Sequence, residues 1–346
     1  MKKQLLALAI GSMVVAPSMA LAEKGPIVYG KANVSYENQD DGDNDSWNLE
    51  SNASRLGVKG EIDLDVQDLV AVYQAEFEIS VDDGDKDGET FSQRNIFGGF
   101  KHKRLGTLIA GKFDTPFKNS QSEIDQFGDL RGDIKYILSG QERENNIIQY
   151  STPKLADAIT LNVAMIPGEE KDEPGEYKYD EPRDSAADAF STSLVFDNGM
   201  VYASAGYDSE VETKLYDMGG DTNALVDAWH VAGKVTIQNF EVGALYQLSE
   251  NSDSKNEGGI DYEDSTYIVS GAVNLNRWKL KAQYGLTDMD TTDDELSLWA
   301  VGADYKIGKS SKVYGYYAAV ETDEGTETIT KDDSTFGIGF EHKFSM

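Results

Sequence analysis

Apolar and polar residues alternate along this chain in about sixteen short stretches, the period of a strand with two unlike faces. The last stretch is the plainest. Phe336, Ile338, Phe340, His342 and Phe344 share one face, and Thr335, Gly337, Gly339, Glu341 and Lys343 share the other. Earlier stretches repeat the pattern. Val28, Gly30, Ala32, Val34 and Tyr36 oppose Lys31, Asn33 and Ser35, while Ala71, Tyr73, Ala75 and Phe77 oppose Gln74, Glu76 and Glu78. Ile159, Leu161, Val163 and Met165 oppose Thr160, Asn162 and Ala164, and Trp278, Leu280, Ala282 and Tyr284 oppose Lys279, Lys281 and Gln283. A dry core would not accept Lys, Glu and Gln on its inner face, because unpaired buried charge costs several kcal/mol. The pattern predicts a closed antiparallel β-barrel with a lipid-facing exterior and a water-filled lumen. A closed barrel is one of two ways a chain can satisfy its backbone in lipid.

The connections sharpen this. Long acidic segments run over Asp40 to Asp45, Asp82 to Glu89, Glu169 to Asp184, Asp208 to Asp221, Glu250 to Asp264, Asp288 to Glu295 and Glu321 to Asp333. Between them lie short links at Pro153 to Asp157, Asp197 to Gly199, Gln238-Asn239, Asn274 to Arg277 and Lys306 to Lys309. Long and short links in alternation give a meander with one looped rim and one tight rim, without a linker to divide it. Tyr29, Tyr36, Trp229, Phe240, Tyr246, Trp278, Tyr284, Trp299, Tyr305 and Phe344 fall near strand ends, where aromatic girdles are expected.

The first 22 residues read as a cleaved secretion signal. Lys2 and Lys3 precede an apolar run from Leu5 to Val15, and Ala20-Leu21-Ala22 supplies the small residues of a cleavage site. That run is shorter than the about 20 residues of a membrane helix. Residues 23–346 are expected to form the barrel. The formal net charge is −31, and losing two signal lysines makes the remainder more acidic still. Nucleic acid is excluded as a partner, since phosphate binding needs clustered Lys and Arg. The chain has no Cys, so neither a disulfide framework nor a thiolate metal site is available.

Four segments resemble the general porins of Gram-negative outer membranes. They are Ile27-Val28-Tyr29-Gly30-Lys31, then Ser54-Arg55-Leu56-Gly57-Val58-Lys59-Gly60-Glu61, then Gly111 through Lys112, Asp114, Thr115 and Pro116 into Phe127-Gly128-Asp129, and finally Arg143 with Asn145-Asn146-Ile147-Ile148-Gln149-Tyr150-Ser151-Thr152-Pro153. The resemblance implies a trimeric, 16-stranded barrel whose third loop folds inward and narrows the pore. It places Lys31, Arg55, Arg94 and Arg143 on a basic wall, facing Glu123, Asp125, Asp129 and Asp133 on the loop. Such an arrangement sets up a field across the constriction that penalises apolar solutes. The loop reads Asp125-Gln126-Phe127-Gly128-Asp129, where enterobacterial members commonly read Pro-Glu-Phe-Gly-Gly.

These features imply passive diffusion of ions and small hydrophilic solutes, with a cation preference from the acidic looped rim. Implied partners are a second and third copy of the chain, outer-membrane lipid and lipopolysaccharide, and the outer-membrane assembly machinery. No resident cofactor is expected, beyond weak Ca²⁺ or Mg²⁺ association with acidic loops. Asp83, Asp85, Asp87 and Gly88 open like a calcium loop, but Arg94 stands where a bidentate Glu belongs. The competing functions are a sugar- or anion-selective channel, an adhesive barrel and an outer-membrane enzyme. Tyr314 and Tyr316 on the polar parity are too few for a sugar slide, an acidic third loop opposes an anion channel, and His102, His230 and His342 share no ligand or catalytic spacing.

Overall fold

A computed structural model describes residues 26–82, 91–168, 183–214, 223–252, 262–291, 293–323 and 330–346. The signal segment and the calcium-like loop at Asp83 to Gly88 lie outside these residues. Among the described residues the chain begins with β1 (Ile27–Asp40), β2 (Asp45–Ser51), β3 (Arg55–Asp63), β4 (Leu69–Ile79), β5 (Phe91–His102) and β6 (Gly106–Asp114). A short helix α1 (Pro116–Gln121) and a 3-10 turn (Ile134–Tyr136) interrupt the meander. It resumes with β7 (Arg143–Ser151), β8 (Ile159–Ile166), β9 (Ala189–Asp197), β10 (Val201–Lys214), β11 (Asn223–Ile237) and β12 (Phe240–Asn251). The last strands are β13 (Glu263–Leu275), β14 (Trp278–Met289), β15 (Asp294–Lys306), β16 (Ser311–Asp323) and β17 (Thr330–Ser345).

Every pairing is antiparallel, and β1 closes the ring against β17 in a register running from Tyr29↔Ser345 to Asp40↔Ser334. β2 and β3 both pair with β1, the former over Val34 to Asp40 and the latter over Ile27 to Lys31. They are two pieces of one stave, so the 17 strands make a barrel of 16 staves. The break falls at Asn52, Ala53 and Ser54. Ala53 adopts a left-handed φ of 47°, and Ser54 Oγ accepts from the Asn33 amide at 2.9 Å, replacing the lost ladder contact. The tight rim is built from chain-local chemistry. Gln238 and Asn276 take positive φ in two-residue turns, and Asp197 accepts from Gly199 N–H at 2.8 Å.

Side-chain parity follows the alternation. Val231, Val242, Val269, Leu280, Val301 and Phe340 are exposed on the outer face, as a lipid-facing surface requires. Trp229 packs on Tyr246, Tyr246 on Tyr267 and Trp278 on Tyr305, all facing outward. Tyr29 departs from the girdle. It shares the inward parity of Lys31, is buried, and donates to Glu76 at 2.9 Å.

The lumen also departs from the expectation of a wholly polar lining. Leu245, Ile268, Met289, Leu296 and Leu298 face inward and are buried. No water-filled wall would carry that stripe without a cover, and the cover is the third loop.

Candidate functional site

The third loop leaves β6 at Thr115, whose hydroxyl caps α1 by accepting from Lys118 N–H at 3.1 Å, with Pro116 in the first turn. The loop then turns inward and lies along the lumen wall. Phe117 packs on Ala224, Val226, Ala228 and Tyr262. Ile124, Ile134, Ile137 and Leu138 insert into the stripe of Leu245, Ile268, Leu296 and Leu298. Phe127 and Leu130 cover Ala300, Tyr314, Tyr316 and Ala318. Burying each such side chain contributes roughly 1.5–3 kcal/mol, so together they hold the loop firmly against the wall.

The polar groups of the loop backbone find partners on the same wall. Ser270 Oγ donates to Ile124 O at 2.5 Å, and Thr287 Oγ1 to Ile137 O at 2.5 Å. Gln283 accepts from Gln126 N–H at 2.9 Å and donates to Gly132 O at 3.0 Å. Gly285 marks a close approach: a Cβ there would stand 2.3 Å from Ile137 Cδ1.

The tip carries the charge. Asp129, at φ 69°, meets β1 and β3, where its carboxylate accepts from Lys31 Nζ and Arg55 Nη2, each at 2.5 Å. Burial alone would raise the Asp129 pKa, but Lys31 and Arg55 outweigh it and hold the carboxyl well below the usual range. Arg55 lies 3.7 Å from Glu76, and Arg94 bridges Glu76 at 3.0 Å and Glu78 at 2.6 Å. The ions therefore alternate in sign along the wall facing the loop tip.

Of the expected site residues, the structure brings together Lys31, Arg55 and Asp129, with Arg94 one ion pair farther along. Arg143 stands at the loop root, 3.0 Å from Asp114, which Lys118 also contacts at 3.2 Å, and is near enough to Arg94, Glu76 and Arg55 to interact with their charges. Glu123 pairs with Lys234 on β11. Asp133 accepts from the amides of Asp129 and Lys135, both at 2.9 Å, and so shapes the tip. Asp125 accepts from the Phe127 amide at 2.9 Å; burial and then the neighbouring Asp133 push its pKa well up. Three of the four loop acids thus anchor or shape the loop, and one meets the basic wall. The wall acids Glu76 and Glu78, and the exposed loop cation Arg131, were not singled out from sequence. The inward parity of Glu76 and Glu78 was their only signal.

No helix among the described residues is long and apolar enough to cross a membrane, which says nothing of a β-barrel. The profile of the Gram-negative porin family matches residues 7–325. No curated protein matches the chain significantly. The fold is similar to that of an anion-selective porin from Comamonas acidovorans, at 21% identity and a TM-score of 0.74, covering 92% of this chain and 99% of that one. It is also similar to OmpF of Salmonella typhi in complex with daunomycin, at 15% identity and a TM-score of 0.67, covering 92% and 97%. A trimer form of OmpT, an outer membrane protein of Vibrio cholerae, matches at 17% identity with a TM-score of 0.61, covering 92% and 99%. With its barrel, its inward third loop and a family match over most of its length, the chain belongs to the Gram-negative porins, channel-forming proteins of the outer membrane.

Proposed function

We propose that the protein is a homotrimeric general porin that passes ions and small hydrophilic solutes down their gradients, with a preference for cations. The observation that carries this reading is the third loop, pegged inside the lumen against β11 to β16 with its tip ion-paired to Lys31 on β1 and Arg55 on β3. A loop held that way leaves a passage bordered by Arg55, Arg94, Glu76, Glu78 and Asp129. Solutes that cannot exchange water for charged groups are penalised there.

Lys31, Arg55, Arg94 and Asp129 are read as the constriction. Glu123, Asp125 and Asp133 are read as anchoring groups, and Arg143 as a brace of the loop root. The cation preference is supported by the net charge of −31 and by Asp40, Asp45 and Asp333 around the mouth. Tyr314 and Tyr316 lie under Phe127 and Leu130, which weighs against a sugar-selective slide. The carboxylates are read as electrostatic and not catalytic. We further read residues 1–22 as a cleaved signal, and the acidic loops as weak ligands for divalent cations bridging to lipopolysaccharide.

The test is single-channel recording in a planar bilayer under a KCl gradient. Current steps grouped in threes with a cation-selective reversal potential are expected. An absence of conductance overturns the channel, and an anion-selective reversal overturns the preference while leaving the channel standing.

A further inference from the structure

The third loop lies inside the barrel, so a side chain it leaves exposed meets the water of the passage. Between Pro116 and Gln141 two charged residues are exposed, and both are cations, Arg131 and Lys135. The loop acids are occupied. Glu123 pairs with Lys234, and Asp129 with Lys31 and Arg55. Asp133 accepts from two backbone amides and Asp125 from one. Among the described residues neither Arg131 nor Lys135 has an ion pair, and Lys135 Nζ stands over the Tyr136 ring, 5.2 Å from its centroid.

Both cations sit on the run that returns from the loop tip. The outgoing run meets β14 through Gln126, which Lys281 and Gln283 contact; the returning run meets it through Ile137, beside Gly285 and Thr287. β14 climbs from the short turn at Trp278 to Met289, so the returning run is the one nearer the long loops. Arg131 there lies within electrostatic reach of Glu37 and Glu50 on β1 and β2. Lys135 lies within reach of Asp133, Asp129 and Glu78, the last of these on β4. The one arginine beside Glu78 is already spent, since Arg94 bridges Glu76 and Glu78. On this side of the Asp129 clamp the polarity is therefore the reverse of an acidic loop facing a basic wall. Cations stand on the loop and carboxylates on the wall.

Resting on the channel reading above, we propose that Arg131 and Lys135 are selectivity-determining residues of the pore: they keep the returning run of the loop positive, give anions a foothold there, and so curb the cation preference set by the surrounding carboxylates. A cation crossing this level is repelled by the loop and drawn toward Glu50 and Glu78, while an anion keeps to the loop. The effect belongs to charge and not to shape, because both side chains are exposed and carry no ion pair whose loss would loosen the loop. It reaches about 10 Å at 0.1 M salt and about 3 Å at 1 M.

The experiment compares reversal potentials of the parent, Arg131→Gln, Lys135→Gln and Lys135→Arg in a KCl gradient around 0.1 M. Each lost charge should raise the ratio of K⁺ to Cl⁻ permeability by roughly twofold, and Lys135→Arg should keep the parent ratio. An unchanged or lowered ratio in both Gln variants overturns the proposal and leaves the channel standing. The parent's own preference bears on the earlier reading alone, and a parent without conductance overturns the channel itself. A second arm needs no comparison between separately folded variants. The chain has no Cys, so Lys135→Cys places a single thiol in an open pore. A thiol reagent bearing a sulfonate should raise the permeability ratio of that pore, and one bearing a quaternary ammonium should lower it. Equal responses to the two reagents, or none, overturn the proposal.

Discussion

Asp129 joins the third loop to β1 and β3 through two cations, and its neighbours decide what its loss would do. Asp129→Asn leaves Lys31 without its carboxylate and Arg55 with only Glu76, 3.7 Å away. A partly exposed pair of this kind is expected to contribute roughly 1–3 kcal/mol, read as a lower heat-unfolding midpoint, together with a weaker cation preference. Because Lys31 and Arg55 depress its native pKa, Asp129 stabilises the fold above the ordinary carboxylate range, and that stability is lost as pH falls through the depressed native value. The midpoint difference between the parent and Asp129→Asn should therefore hold from about pH 7 down to about pH 4 and close only in stronger acid. Asp125 behaves oppositely. Its raised native pKa favours the protonated form, so its contribution is fully present at low pH and lost as pH rises through the raised value. Asp125→Asn keeps an acceptor for the Phe127 amide without a charge. It is expected to leave conductance unaltered and to match or exceed the parent midpoint at neutral pH. Parity and motif were enough to single out Lys31, Arg55 and Asp129. They could not show that Arg94 bridges Glu76 and Glu78, because a β-bulge between Ala75 and Phe77 shifts the register locally. Bulges leave little trace in an alternation pattern.

As an element, the third loop is held by its apolar pegs more than by its charges. Phe127 is fully buried and lies beneath Lys281, whose ammonium is 4.3 Å from the ring centroid. Phe127→Ala should weaken docking by roughly 3–5 kcal/mol, seen as larger open-channel current noise and new protease cleavage within 115–142, while the barrel itself persists. Strict alternation predicts a polar lumen throughout and does not mark the receiving stripe. The stripe has a sequence signal of its own: Tyr267, Ile268 and Val269 are apolar in succession, as are Leu296 and Leu298 on the face that alternation assigns to water. A strand apolar on both faces within a barrel asks for something inside to cover it. A soluble protein would use a second sheet or a helix, and here a loop supplies the cover.

At the scale of the molecule, the barrel was legible because one local rule is repeated around the whole ring, so no single misread strand could overturn it. Its closure does not depend on the loop. β6 and β7 pair directly from Thr107↔Ser151 up to Asp114↔Arg143. Replacing residues 116–141 by a short Gly-Ser turn should therefore still give a barrel, with a conductance raised several-fold and a lower midpoint, because the apolar stripe is then bare. The broken stave has a different kind of consequence. Between β2 and β3 the ladder to β1 is interrupted at Asn52–Ser54, so the stave is two short zippers in series. Pulled from its amino-terminal end by a force probe, an ordinary stave gives way as one peeling event. Here the tear should halt at the Ser54–Asn33 contact and start again, splitting the force peak of this stave in two and dividing its extension near that contact.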